Sequence, residues 1–124
     1  MNNCFKICLV FLVLLSITSC LAKADTEVRI QNTSQLNFQS VAVGFPDQLE
    51  QYGALSRGAL SGYRKVTSAY RYAYIEVRVN GEKFELRPKD YVGETLLPNG
   101  QFTYALDLDP KLKSINLTLI ESKN

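Results

Sequence analysis

From Ala69 to Asn80 the chain alternates without a break. Ala73, Ile75, Val77 and Val79 share one parity, and Tyr70, Tyr72, Tyr74, Glu76 and Arg78 share the other. Side chains alternate across a strand, whereas a helix repeats every 3.6 residues. The spacing therefore predicts one long strand with a buried face and excludes an amphipathic helix here. Asn80 and Gly81 follow, two residues that tolerate the positive φ a type I′ hairpin turn demands. The returning strand is expected from Glu82 to Arg87, with Phe84 and Leu86 inward, until Pro88-Lys89-Asp90 breaks it.

The same period recurs on both sides of this hairpin. Val28 and Ile30 alternate with Arg29 and Gln31, and Asn32-Thr33-Ser34 reads as a turn. Leu36 and Phe38 have one parity, Val41, Val43 and Phe45 the other. A strand cannot change parity without an extra residue, which predicts a β-bulge near Gln39-Ser40. Residues 46–62 are irregular, with a short helical turn expected over Asp47–Gln51 and glycine turns at Gly53, Gly58 and Gly62. Tyr63 to Val66 reads as a short strand, and Tyr91 to Leu97 as a connector. Phe102, Tyr104, Leu106 and Leu108 predict another strand, and Ile115, Leu117 and Leu119 the last. About seven short strands and no sustained helical period imply an all-β fold, a single antiparallel β-sandwich of immunoglobulin-like or transthyretin-like type. The chain has no tryptophan, so the Cys…Trp…Cys hallmark of true immunoglobulin domains is absent.

The N-terminal region has a different character. Lys6 precedes an apolar run from Ile7 to Ile17, eleven residues. As a helix they would rise about 16 Å, against the roughly 30 Å of a bilayer's hydrocarbon core. That layout is a signal peptide's. The run ends at Ile17-Thr18-Ser19-Cys20, which resembles the lipobox of bacterial lipoproteins: a branched apolar residue, two small residues, then cysteine. The resemblance implies cleavage before Cys20 and a diacylglycerol, with palmitate-like acyl chains, on its sulfur. The expected organisation is a signal peptide over 1–19, a lipidated tether over 20–26 and the sandwich over 27–124. A competing site, Ala22-Lys23-Ala24, would instead release a soluble chain beginning at Asp25. Cysteine usage favours the lipobox. Cys4 and Cys8 leave with the leader, so Cys20 is a single thiol in an oxidising compartment, where acylation gives it a use. Leu21 stands where an aspartate would imply inner-membrane retention, so the expected location is the cell envelope, at the outer membrane.

Charge and residue types exclude several functions. Loss of 1–19 removes Lys6 alone among charged groups, leaving 13 basic and 12 acidic residues. So small a net charge provides no field for nucleic acid. The chain has no histidine, which excludes a histidine-based triad and, with Cys20 acylated, classical zinc sites. No cofactor is expected. Glu82, Glu85, Asp90 and Glu94 lie close in sequence, but a glycosidase-like pair needs two acids facing each other across a cleft. The plainer reading of Glu82 and Glu85 is solvated strand residues beside Lys83 and Arg87. Asp107 and Asp109 are a fragment of a calcium site without its glycine and distal glutamate, and Asp109 reads more simply as the start of a turn at Pro110.

Two stretches carry binding potential. Tyr70, Tyr72 and Tyr74 would stand in a row about 7 Å apart on one strand face, with Arg71 and Arg78 nearby. Such a row suits sugar rings or a protein partner. The competing reading covers the row by the 46–62 segment or an adjoining one, as ordinary core. Tyr52 to Tyr63 resembles the Tyr-Gly-x-x-Ser-x-Tyr pattern of small secreted bacterial β-sandwich domains of unknown function, a likeness that speaks to fold. The expected protein is a membrane-anchored lipoprotein whose non-catalytic sandwich binds an envelope protein or glycan through the tyrosine row and the 53–62 loop. Two alternatives are an inhibitor inserting the 46–62 loop into a hydrolase, and a carboxylate-based envelope hydrolase.

Overall fold

The computed structural model describes residues 25–122. The expected signal helix, Cys20 and most of the tether lie outside them. Eight strands follow in order: β1 (Thr26–Asn32), β2 (Ser40–Gly44), β3 (Leu49–Gln51), β4 (Arg64–Val66), β5 (Tyr74–Val79), β6 (Glu82–Leu86), β7 (Gly100–Asp109) and β8 (Ser114–Glu121). They form two four-stranded sheets, ordered β4-β1-β7-β8 and β3-β2-β5-β6, so the described chain is all-β and sandwich-like.

Neighbours in each sheet are antiparallel with one exception that corrects the purely antiparallel expectation. β1 and β7 run parallel in register from Thr26↔Gly100 to Asn32↔Leu106. A parallel pair needs a long crossover. Here the whole second sheet lies between the two strands in sequence. A local reading of alternation cannot see direction.

The core is the pairing of the inward parities. Val28 and Ile30 of β1 and Phe102, Tyr104, Leu106 and Leu108 of β7 face Val41 and Val43 of β2, Ile75, Val77 and Val79 of β5 and Phe84 of β6, all buried. Each such side chain contributes about 1.5–3 kcal/mol by leaving water. Phe45 stacks on Tyr104 with ring centroids 6.0 Å apart. β7 is central and buried on both faces, Thr103 and Ala105 included. Arg29 Nε donates to Thr103 Oγ1 at 2.9 Å. The Arg29 guanidinium lies 4.6 Å from the Tyr63 ring centroid.

The parity change between Phe38 and Val41 has the expected cause. Gln39 N donates to Arg78 O at 2.7 Å, while Ser40 is the register partner of Arg78, so two residues oppose one. Asn80 (φ 50°) and Gly81 (φ 80°) form the tight turn between β5 and β6.

Two further expectations fail. Leu49–Gln51 is a strand paired with Ala42–Gly44, not a helical turn. Asp47 accepts the Ser68 hydroxyl at 3.1 Å instead of capping a helix. The long strand also begins at Tyr74 rather than Ala69. Its partners stop there: β2 ends with Gly44 opposite Tyr74 before Pro46, and β6 ends with Leu86 opposite Ile75 before Pro88. Residues 69–73 have the alternation of a strand and no ladder to join.

Candidate functional site

Strand register assigns every loop to one of two ends. β1 and β7 start, and β2, β4 and β6 finish, at the same end. That end carries Asp25 and the segments 45–48, 67–73 and 87–99. The other carries 33–39, most of 52–63, the Asn80-Gly81 turn and 110–113. The tyrosine segment and the glycine-rich 53–62 loop, expected to form one surface, are therefore at opposite ends.

The tyrosine row is also divided. Tyr70 leaves the sheet and stacks on Tyr91, centroids 4.6 Å apart and planes 19° apart. Tyr104 donates its hydroxyl hydrogen to Tyr70 O. Burial, then the neighbouring Tyr70, pushes the Tyr91 hydroxyl above its ordinary pKa. Leu97 N donates to Ala69 O at 2.8 Å, so the 67–73 and 87–99 segments form one tip. A turn closed by Glu94 N to Tyr91 O (3.0 Å) shapes it, with Gly93 at φ 81° where a type II turn calls for glycine. Asp90 Oδ1 accepts Val92 N at 3.2 Å.

Tyr72 stays half exposed and lines a cleft of about 230 Å3 with Leu86, Pro88, Lys89, Asp90 and Glu94. The cleft thus combines an accessible aromatic ring, an apolar wall and charges of both signs. Arg71 is exposed beside it in sequence. Asp90 and Glu94 reach this cleft from the carboxylate group singled out in the sequence. Glu82 does not: it pairs with Lys113 at 3.2 Å.

Tyr74, Arg78 and Glu85 lie on the outer face of the second sheet. Tyr74 donates its hydroxyl hydrogen to Glu76 Oε2 (3.3 Å) or Glu85 Oε1 (3.2 Å). Lys83 and Arg87 meet Glu85 at 3.0 and 2.8 Å, and Arg78 meets Glu76 at 3.7 Å. The Lys83 and Arg87 donors hold the Glu85 carboxyl down at about 2. The partly desolvated Tyr74 hydroxyl is pushed up. This is the solvated ion-pair lattice expected of Glu85, extended to Glu76 and Tyr74.

Elsewhere the sequence candidates serve as scaffold. Asp107 Oδ1 accepts Leu108 N at 2.9 Å, and Asp109 Oδ1 accepts Lys111 N at 2.9 Å, the turn role. No group of three or more His, Cys, Asp or Glu that could hold a metal ion occurs among the described residues. The 46–62 segment is pinned. Tyr52 is buried and donates to Val28 O at 2.8 Å, Leu55 bridges Phe38, and Leu60 bridges Gln31. Sequence reasoning missed Tyr91 as the stacking partner of Tyr70, and Leu86, Pro88 and Lys89 as cleft residues. Their convergence with Tyr72 depends on how two loops fold together, and no local pattern announces it.

No known family profile matches the chain, and no curated protein matches it in sequence. Among solved structures, it is similar to the NMR structure of a protein from Eubacterium rectale. The two share 17% identity and a TM-score of 0.54, over 82% of this chain and 92% of that one. At that identity the likeness shows the fold alone.

Proposed function

We propose that this chain is an envelope lipoprotein, acylated at Cys20 and held at the outer membrane, whose sandwich is a non-catalytic binding module. Its ligand face is the Tyr72 cleft, and its ligand class is an envelope glycan. The observation that carries this reading is the composition of the cleft. A half-exposed phenol ring offers a stacking face, and Lys89, Asp90 and Glu94 offer donors and acceptors for hydroxyl groups. At about 230 Å3 the cleft is smaller than the roughly 300–1,000 Å3 of sites for drug-sized ligands, which suits one sugar ring. The hydrolase-inhibitor reading draws less support, because the segment it would insert is packed against β1 and Phe38.

The sandwich type proposed is transthyretin-like. In the immunoglobulin arrangement the first two strands share a sheet, whereas here β1 and β2 lie in different sheets.

Two measurements test this reading. Mass spectrometry of the mature N-terminus should find an acylated Cys20; an unmodified chain starting at Asp25 overturns the anchor. NMR titration with peptidoglycan and lipopolysaccharide oligosaccharides should shift amides of 86–94, and Tyr72→Ser should weaken binding at least tenfold. Shifts confined to 53–62, or none at millimolar sugar, refute the cleft as ligand face.

A further inference from the structure

The tip around Val92 has a property that sugar binding does not use. Val92 is 88% exposed and Leu96 is 49% exposed, both large apolar side chains in the 87–99 loop. The other end exposes Leu60 and Leu112 as well, so exposure alone does not choose between the two ends. Resting on the acyl-anchor reading, we propose that this tip is a lipid-facing surface, with Val92 and Leu96 seated at the headgroup boundary of the bilayer that holds Cys20.

The length and exit point of the tether select this occupant. Six Cα–Cα steps separate Cys20 from Thr26, a reach of at most about 20 Å. The exit is stitched to the tip loop: Gly100 N donates to Asp25 O at 3.2 Å, and Thr26 Oγ1 donates to Pro98 O at 3.3 Å. The ten-residue β7 makes the sandwich about 33 Å long, more than the tether's reach. The end carrying Val92 therefore faces the bilayer, and the end carrying Leu60 and Leu112 points away. Charge adds no competing attraction. The segments at this end carry Arg71, Arg87 and Lys89 against Asp25, Asp47, Asp90 and Glu94, a net −1 that gives no attraction to anionic lipid, so docking is apolar and salt does not weaken it. Tyr91, the chain neighbour of Val92, stacks on Tyr70 in the same tip, and tyrosine favours the interfacial layer. Lipid seating also places the Tyr72 cleft at headgroup level.

The chain has no tryptophan, so a single introduced indole reports its own surroundings. The acylated full-length mature protein carrying Val92→Trp is reconstituted into phosphatidylethanolamine–phosphatidylglycerol vesicles with brominated acyl chains. Leu60→Trp at the far end is the control. The expected result is emission shifted to the blue and quenched at least twofold for V92W, unchanged in 1 M salt, with L60W unaffected. Protein that floats with the vesicles while V92W stays unquenched, or is quenched no more than L60W, overturns the lipid-facing tip and leaves the anchor standing. Protein that does not float overturns the anchor, and the lipid-facing tip with it.

Discussion

Asn32→Ala should be among the most damaging single substitutions in the domain, although Asn32 lies in a stretch that reads as ordinary turn chemistry. Its side chain is fully buried with both ends occupied. Nδ2 donates to Leu36 O (2.7 Å) and Leu55 O (3.0 Å), and Oδ1 accepts from Ser34 N (2.9 Å) and Ser34 Oγ (2.7 Å). Truncation orphans them unequally. Leu55 O keeps Phe38 N, and Leu36 O and Ser34 Oγ keep each other. Ser34 N is left buried without a partner. One orphaned group at about 1–3 kcal/mol and three weakened bonds at about 0.5–1 kcal/mol each sum to about 2.5–6 kcal/mol. At about 4 °C per kcal/mol for a domain of this size that lowers Tm by about 10–24 °C, a large part of a total stability of about 5–15 kcal/mol. Thermal and urea unfolding followed by far-UV circular dichroism measures it. Asn32→Asp sharpens the test. It keeps the acceptor for Ser34 but turns an oxygen towards two carbonyls, so its carboxyl pKa rises on folding. Stability linked to a raised carboxyl pKa is present at low pH and lost as pH rises. N32D should therefore recover stability relative to the parent chain between pH 7 and pH 4. An N32A melting point within about 3 °C of the parent, or an N32D deficit independent of pH, refutes the hub.

The ion-pair lattice should show in the acid limb of stability. The Glu85 carboxyl is held at about 2 by Lys83 and Arg87, below its unfolded value. Its contribution is complete above pH 5 and fades as pH falls from about 4.5 to 2. The Tm gap between the parent and Glu85→Gln should narrow over that window; a constant gap counts against the assignment. Tyr70→Ser, which removes the stack on Tyr91, should cost at least the roughly 0.5–1.5 kcal/mol of an aromatic pair, while Tyr72→Ser should leave Tm within about 2 °C, as calorimetry can check. Gly81→Ala introduces a side chain at φ 80° and should destabilise by about 1 kcal/mol in urea titration without changing the m-value.

What the sequence made legible was mostly parity. Inward sets such as Val28/Ile30, Val41/Val43/Phe45 and Ile75/Val77/Val79 are buried as alternation predicts, because burial of one sheet face acts on every second residue. The bulge at Gln39-Ser40 and the turn at Asn80-Gly81 were legible for the same local reason. Direction and partnership were not. Nothing in Val28 or Phe102 says that their strands run parallel. Nothing in Tyr70 or Tyr72 says that the ladder stops at Tyr74, since that limit is set by Pro46 and Pro88 on other strands. The candidate site was half visible. Tyr72, Asp90 and Glu94 stood out as residue types. Their meeting in one cleft depends on the Tyr70–Tyr91 stack and the Leu97–Ala69 hydrogen bond.

The two ends of the sandwich differ in how firmly their loops are held, and this bears on where function resides. At the far end Asn32, Thr33, Phe38, Tyr52, Leu55, Gly58, Ala59 and Ser61 all donate backbone N–H groups to backbone carbonyls outside the regular ladders. Within 88–99 the backbone donors that reach a backbone acceptor are Glu94 N and Leu97 N. Segments with few such bonds and exposed side chains open with the smallest free-energy cost, and binding loops come from that class. Native-state hydrogen exchange should therefore find 88–96 exchanging far faster than 32–38 and 52–61, with protection rising at 90–94 when a ligand fills the Tyr72 cleft. Equal protection at both ends would mean that the Tyr70–Tyr91 stack holds the tip as firmly as the Asn32 hub holds its own end. The tip would then be a rigid preformed platform, and the argument from sparse bonding would fail.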